Sequence, residues 1–174
     1  MEGISTDLVN VIKDYIIFKP KTKEELEEAV NLWCENKDEA LTKYNHISLW
    51  DTSLITDMSY LFSDCTGSAS LFNDNINSWD VSKVKNMEHM FGNCIEFNQP
   101  LDNWDVSNVE DMFEMFYGCK KFNQPLNNWD VSSVTNMSCM FWKAIKFNQQ
   151  LDSWNVSNVE RMSDMFHDCH NFNQ

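Results

Sequence analysis

The chain has 174 residues, with 27 acidic against 13 basic side chains and a formal charge of −14. That length suits one domain with a sizeable core, while the acidity argues against a nucleic-acid backbone or an anionic membrane as partner, since both need basic faces. No stretch is long and apolar enough to insert into a bilayer, and the first twenty residues do not read as a secretory signal. As written, the chain is expected inside the compartment that makes it; a cell or virion surface is the alternative if the sequence is trimmed.

Residues 1–46 are predicted to form a helical N-terminal cap. Thr22-x-x-Glu25 is a capping box that starts a helix. Leu26, Val30 and Trp33 then share one apolar face, and a second short helix over "DEALTKY" leads to a first strand at Ile47.

Residues 47–174 repeat. Tryptophans fall at 50, 79, 104, 129 and 154, twenty-five residues apart except for the first interval, which holds a polar insertion around "TGSAS". Counting each Trp as zero, Met recurs at +8 and Phe at +12. Position +15 holds Cys65, Cys94, Cys119, Ala144 and Cys169, and Phe returns at +18. Five repeats are assigned, at about 47–75, 76–100, 101–125, 126–150 and 151–174. Each divides by periodicity. Leu126-x-x-Trp129-x-Val131 alternates as a short strand. Met137, Met140, Phe141 and Ala144 fall on one face of a two-turn helix, for which Asp57, Asn86, Asp111 and Asn136 are candidate N-caps. Asn93 and Gly118, at +14, suit the left-handed residue that ends a helix.

No single repeat buries its own aromatic residues, so neighbours must stack. Strands pair ~4.8 Å apart and helices pack roughly 8–10 Å apart. The predicted fold is therefore a curved α/β solenoid. Short parallel strands line its concave side and short helices its convex side, behind the helical cap.

The spelling F-N-Q-P-L-x-x-W-D-V-S-x-V-x-x-M-x-x-M-F-x-x-C over residues 47–174 resembles the BspA-like leucine-rich-repeat surface proteins. That resemblance implies surface display, adhesion and protein binding, and it carries no catalytic residue.

Several side chains invite chemistry. The +15 cysteines are expected to be small, reduced core residues, since helices roughly 8–10 Å apart hold them beyond bridging distance. Cys139 at +10 is expected to face outward and be reactive. "HDCH" at 167–170 is a single cluster, short of a metal site. The Asn at +19 is expected to build a polar ladder between turns.

Asp51, Asp80, Asp105 and Asp130 form a column at +1, with Asn155 in the fifth place. Serine hydroxyls and turn amides are the simplest counterweight to their repulsion; recognition of a basic partner, or calcium between rungs, are the alternatives. Phe113, Tyr117 and Trp142 are aromatic at +9 and +13, where a helix faces outward, and are a candidate contact patch. The expected function is a non-enzymatic recognition or adhesion module for a protein partner, with no cofactor and no metal. The alternative is an assembly component whose last repeat stacks on another copy or partner. A hydrolase is the remote third reading.

Overall fold

Thr22 caps the first helix, accepting the Glu25 amide at 3.3 Å, while the Glu25 carboxylate accepts the Lys21 amide at 2.7 Å. The computed structural model describes residues 17–63 and 71–174; Cys65 and the insertion at 66–70 lie outside them. Helix α1 is Lys23–Glu35 and α2 is Lys37–Tyr44. α1 buries Leu26, Ala29, Val30 and Trp33. Trp33, Phe18 and Tyr44 meet Trp50 with ring centroids 5.9, 5.2 and 6.0 Å away, so the helical segment covers the indole of the first repeat.

Beyond Tyr44 the expected strands and two-turn helices do not form among the described residues. A 3-10 turn, Ile47–Leu49, stands where the first strand was expected, followed by isolated parallel bridges linking Asp57, Asn86, Asp111, Asn136 and Arg161. The cause is backbone handedness. Position +10 is left-handed in every repeat (Tyr60 φ 62°, His89 52°, Glu114 54°, Cys139 57°, Asp164 55°). So are the described residues at +14: Asn93 at 62°, Gly118 at 69°, Lys143 at 61° and Asp168 at 58°. An α-helix does not pass through such residues.

The segment instead folds as linked four-residue turns, each closed by an i+3 to i bond. Met90, Gly92 and Cys94 amides donate back to Met87, His89 and Phe91 carbonyls at 3.2, 3.0 and 2.9 Å. The amides in between turn sideways to the next repeat. Met87, His89, Phe91 and Asn93 donate to Asp111, Phe113, Met115 and Tyr117 carbonyls at 2.9, 2.7, 3.0 and 2.6 Å, and the pattern recurs one repeat on. The i, i+3, i+4, i+7 apolar spacing survives because these turns, like a helix, send +8, +11, +12 and +15 inward. Asp57, Asn86, Asp111 and Asn136 cap no helix; each accepts the amide two residues ahead, at 2.8, 2.8, 2.7 and 3.1 Å.

Side-chain columns run through these layers. Phe62, Phe91, Phe116, Phe141 and Phe166 stack at 5.4 to 5.6 Å. Phe72, Phe97, Phe122, Phe147 and Phe172 stack at 5.8 to 6.0 Å. On the other edge, Trp79, Trp104, Trp129 and Trp154 each donate Nε1–H to the carbonyl three residues before the preceding Trp, at 2.9 to 3.1 Å. Neither strands nor helices form in these layers among the described residues, so the strand–helix mismatch from which curvature was inferred is absent.

The cysteines follow the same rule. Cys94, Cys119 and Cys169 are buried thiols whose Sγ–H points at the Phe62, Phe91 and Phe141 carbonyls of the preceding repeat, at 3.8, 3.0 and 2.7 Å. They stay reduced as expected, but not because helices hold them apart. The side chains are committed to carbonyls instead. Burial pushes the Cys119 thiol well up and the Cys169 thiol up to about 11. Cys139 is a correction. It is 8 % exposed, and burial, with Glu114 and Asp164 nearby, pushes its thiol up as well, so it is not an outward reactive cysteine.

Candidate functional site

Two surfaces carry the candidate residues. The first is the Asp column. Asp80, Asp105 and Asp130 are exposed and Asp51 half-exposed. Each turns its Oδ1 back to the amide two residues on: Ser53 at 3.0 Å, Ser82 at 3.0 Å, Ser107 at 3.1 Å and Ser132 at 3.0 Å. The Ser82 and Ser107 hydroxyls add bonds of 2.6 Å. The Ser82 hydroxyl and amide hold the Asp80 carboxyl below the usual carboxylate range, and Ser132 does the same for Asp130. Partial burial pushes the Asp51 carboxyl up, but Lys19 and Ser53 outweigh it and leave it lowered. Asn155 closes the same turn on Ser157 at 3.2 Å without a charge. The serine-and-amide counterweight is therefore present, and Asp80, Asp105 and Asp130 remain exposed.

The second surface is aromatic. Tyr117 and Trp142 meet edge to face at 5.7 Å. Phe113 does not join them. Without a helix, +9 and +13 are not stacked neighbours, and Phe113 lines a separate shallow hollow of about 280 Å³ with Glu88, Asp111, Asn136, Ser138 and Arg161.

In Phe113's place the structure supplies three rings that the repeat register had hidden. Tyr60 lies 5.3 Å from His89, His89 lies 5.8 Å from Tyr117, and Trp142 lies 5.0 Å from His167. A single column of Tyr60, His89, Tyr117, Trp142 and His167 thus runs across all five repeats. Tyr60 and His89 come from +10 and the others from +13, so no alignment by position reveals it. The available signal was compensation: where +13 is Ser63 or Gly92, +10 is aromatic.

Acids and one cation line this column. Tyr60 donates its hydroxyl to Glu88 at 2.5 Å, which pushes the phenol up to about 12. His89 Nδ1 lies 2.8 Å from Glu114. Lys143 Nζ sits 5.6 Å above Tyr117 and 5.5 Å above Trp142, within cation–π range. Trp142 Nε1 is buried with no hydrogen-bond partner among the described residues, a cost of about 1–3 kcal/mol. Among the described residues no group of three His, Cys, Asp or Glu side chains is placed to hold a metal ion, and no helix is long and apolar enough to cross a membrane.

Stacked 25-residue units with one continuous aromatic core define a repeat protein. A family model described as "Mycoplasma protein of unknown function, DUF285" matches residues 31–141 and again 98–174, and the chain belongs to that family. No curated protein and no solved structure matches the chain.

Proposed function

We propose that the protein is a non-enzymatic recognition module for a protein partner: a solenoid, similar to the BspA-like leucine-rich-repeat surface proteins, that binds through the aromatic column. The observation that carries this reading is that every repeat contributes one ring to the column although the core does not require it. Ser63 and Gly92 fill the same +13 position without a ring, and Tyr60 and His167 stand in solvent. Aromatic rows flanked by Glu88 and Glu114 suit the aromatic anchors of protein interfaces, and a net charge of −14 favours a basic partner. The carboxylates of Asp51, Asp80, Asp105 and Asp130 supply a second acidic surface for the same partner class.

The test is capture on immobilised protein, compared with Tyr117→Ser/Trp142→Ser and Asp80→Lys/Asp105→Lys variants. The reading expects a specific partner retained by the Asp variant and lost by the aromatic one. Loss only with the Asp variant moves recognition to the carboxylates, and a set of captured proteins indifferent to both overturns the proposal.

A further inference from the structure

The ammonium of Lys23 shows what positions +7 and +9 of this repeat can hold. From α1, Lys23 Nζ bonds Asp57 Oδ1 at 3.3 Å and Ser59 Oγ at 2.6 Å, and Glu27 lies 3.7 Å away. Asp57 is +7 and Ser59 is +9 of the first repeat. In the third and fourth repeats these positions are Asp111, Phe113, Asn136 and Ser138, which line the hollow of about 280 Å³ together with Glu88 and Arg161. Asp57 has Lys23 as its ion partner, whereas Glu88 and Asp111 have none among the described residues.

The hollow is built from fixed acceptors. Asp111 Oδ1 accepts the Phe113 amide at 2.7 Å, and both Asp111 oxygens accept Asn136 Nδ2 at 3.2 Å. Ser138 is only 9 % exposed, and its amide bonds Asn136 Oδ1 at 3.1 Å, but its hydroxyl makes no hydrogen bond among the described residues. A buried hydroxyl in that state calls for a ligand atom. Phe113 adds a half-buried ring against which an ammonium and its methylene stem can pack. Arg161 opposes a cation from the rim, and the two carboxylates outweigh it. Glu88, Asp111, Phe113 and Ser138 lie on the second to fourth repeats, each flanked by a further repeat on both sides.

We propose that this hollow receives a primary ammonium, the side chain of a lysine on a basic protein partner. The incoming Nζ donates to the Asp111 carboxylate and the Ser138 hydroxyl, the pair of groups that Asp57 and Ser59 offer Lys23. Glu88 is the second carboxylate, as Glu27 is for Lys23. A compact ammonium with three donors suits such separate acceptors better than a planar guanidinium does. The site adds an anchor to the reading of a basic partner, yet it uses neither Tyr117 nor Trp142.

The probe is Nα-acetyl-lysine methylamide, titrated into the whole chain at low salt while the Phe113 and Ser138 amide NMR signals are followed. A saturable shift is expected, weakening as salt is added. Asp111→Asn keeps the turn, as Asn86 and Asn136 do at the same position, and should weaken binding about tenfold. Ser138→Ala removes a hydroxyl that bonds nothing, so stability should hold while binding weakens about fivefold. Arg161→Ala should tighten binding by removing a like charge. Lys23→Ala should open a second site at Asp57 and Ser59. The Tyr117→Ser/Trp142→Ser variant should bind the probe as the parent does, which separates failure here from failure of the aromatic column. No saturable shift up to the solubility limit of the probe overturns the proposal. So does a stronger response to propionate, an equal one to glycine methylamide, or binding that Ser138→Ala leaves unchanged or Arg161→Ala weakens.

Discussion

The imidazole of His89 occupies the space that a Cβ on Gly92 would need: an added methyl carbon would lie 2.0 Å from Nε2 and 2.2 Å from Cδ2. The ring of +10 has folded over an empty +13, and this exchange keeps the aromatic column continuous where the third to fifth repeats use Tyr117, Trp142 and His167. Gly92→Ala should therefore expel His89 from between Tyr60 and Tyr117 and separate it from Glu114. Histidine side-chain NMR will show the loss of the Glu114 contact, with unfolding free energy lowered by about 1–3 kcal/mol. An unchanged His89 environment would refute the exchange.

Gly118 is constrained by backbone rather than by a neighbouring ring. Its φ of +69° is left-handed, and a Cβ would meet Asn93 Oδ1 at 2.6 Å. Gly118→Ala is expected to cost about 1–2 kcal/mol in urea unfolding. Gly118→Asn should cost less than Gly118→Val, because Asn tolerates this conformation and already adopts it at 93.

The Phe116 ring is stacked between Phe91 and Phe141 and 0 % exposed, while Phe166, the same repeat position, is half-buried and among the described residues has Phe141 alone as a neighbour in its column. Phe116→Ala should cost about 3–5 kcal/mol. Phe166→Ala should cost clearly less, because part of its surface is already hydrated. Equal losses in denaturant melts would show that the layers do not share the load as their contacts imply.

Ala144 is the one +15 residue among those described that cannot reach back to a carbonyl. Cys94, Cys119 and Cys169 bond Phe62, Phe91 and Phe141; the equivalent acceptor for position 144 is Phe116. Ala144→Cys should stabilise by up to about 1 kcal/mol, and the new thiol should resist labelling in the native state, as should Cys119 and Cys139.

Asp80 and Asp130 have lowered carboxyl pKa values from serine bonds, and Asp51 and Asp57 stay lowered despite partial burial. A folded-state pKa below the unfolded one, about 3.9 for Asp, contributes stability above that value. The contribution is lost as pH falls through the folded pKa. Thermal melts should therefore drop below about pH 4. The Asp51→Asn/Asp80→Asn/Asp130→Asn variant should show a shallower acid drop, because Asn155 shows that an amide closes the same turn without a proton to gain.

Much of the interior was legible in the residues. The 25-residue register, the inward Trp, Met, Phe and Cys positions and the capping box at Thr22 all recur in the structure. Helix was the wrong inference for Met137 to Ala144, because linked turns with left-handed +10 and +14 residues show the same apolar spacing as a helix. Burial periodicity reports which side chains face inward and is silent on whether an amide bonds four residues back or sideways to the next layer. The left-handed Asn93 and Gly118 were anticipated and present, but they sit inside this run of turns.

The candidate site was less legible for a related reason. Asp51, Asp80, Asp105 and Asp130 share one repeat position, so the column was visible, and its serine partners followed from local spacing. Tyr117 and Trp142 were found as departures from the repeat, and Phe113 was grouped with them only through the assumed helix. Tyr60, His89 and His167 were missed, since their rings come together from two positions on different layers.

By itself the chain of residues determined the repeat and the inward-facing set, because burial of large apolar side chains is imposed at fixed intervals along the backbone. Only the tertiary structure decided the layer spacing, the commitment of each thiol to a carbonyl and the aromatic column. Each of these depends on hydrogen bonds and ring contacts between residues about twenty-five apart, which no local pattern of propensity encodes.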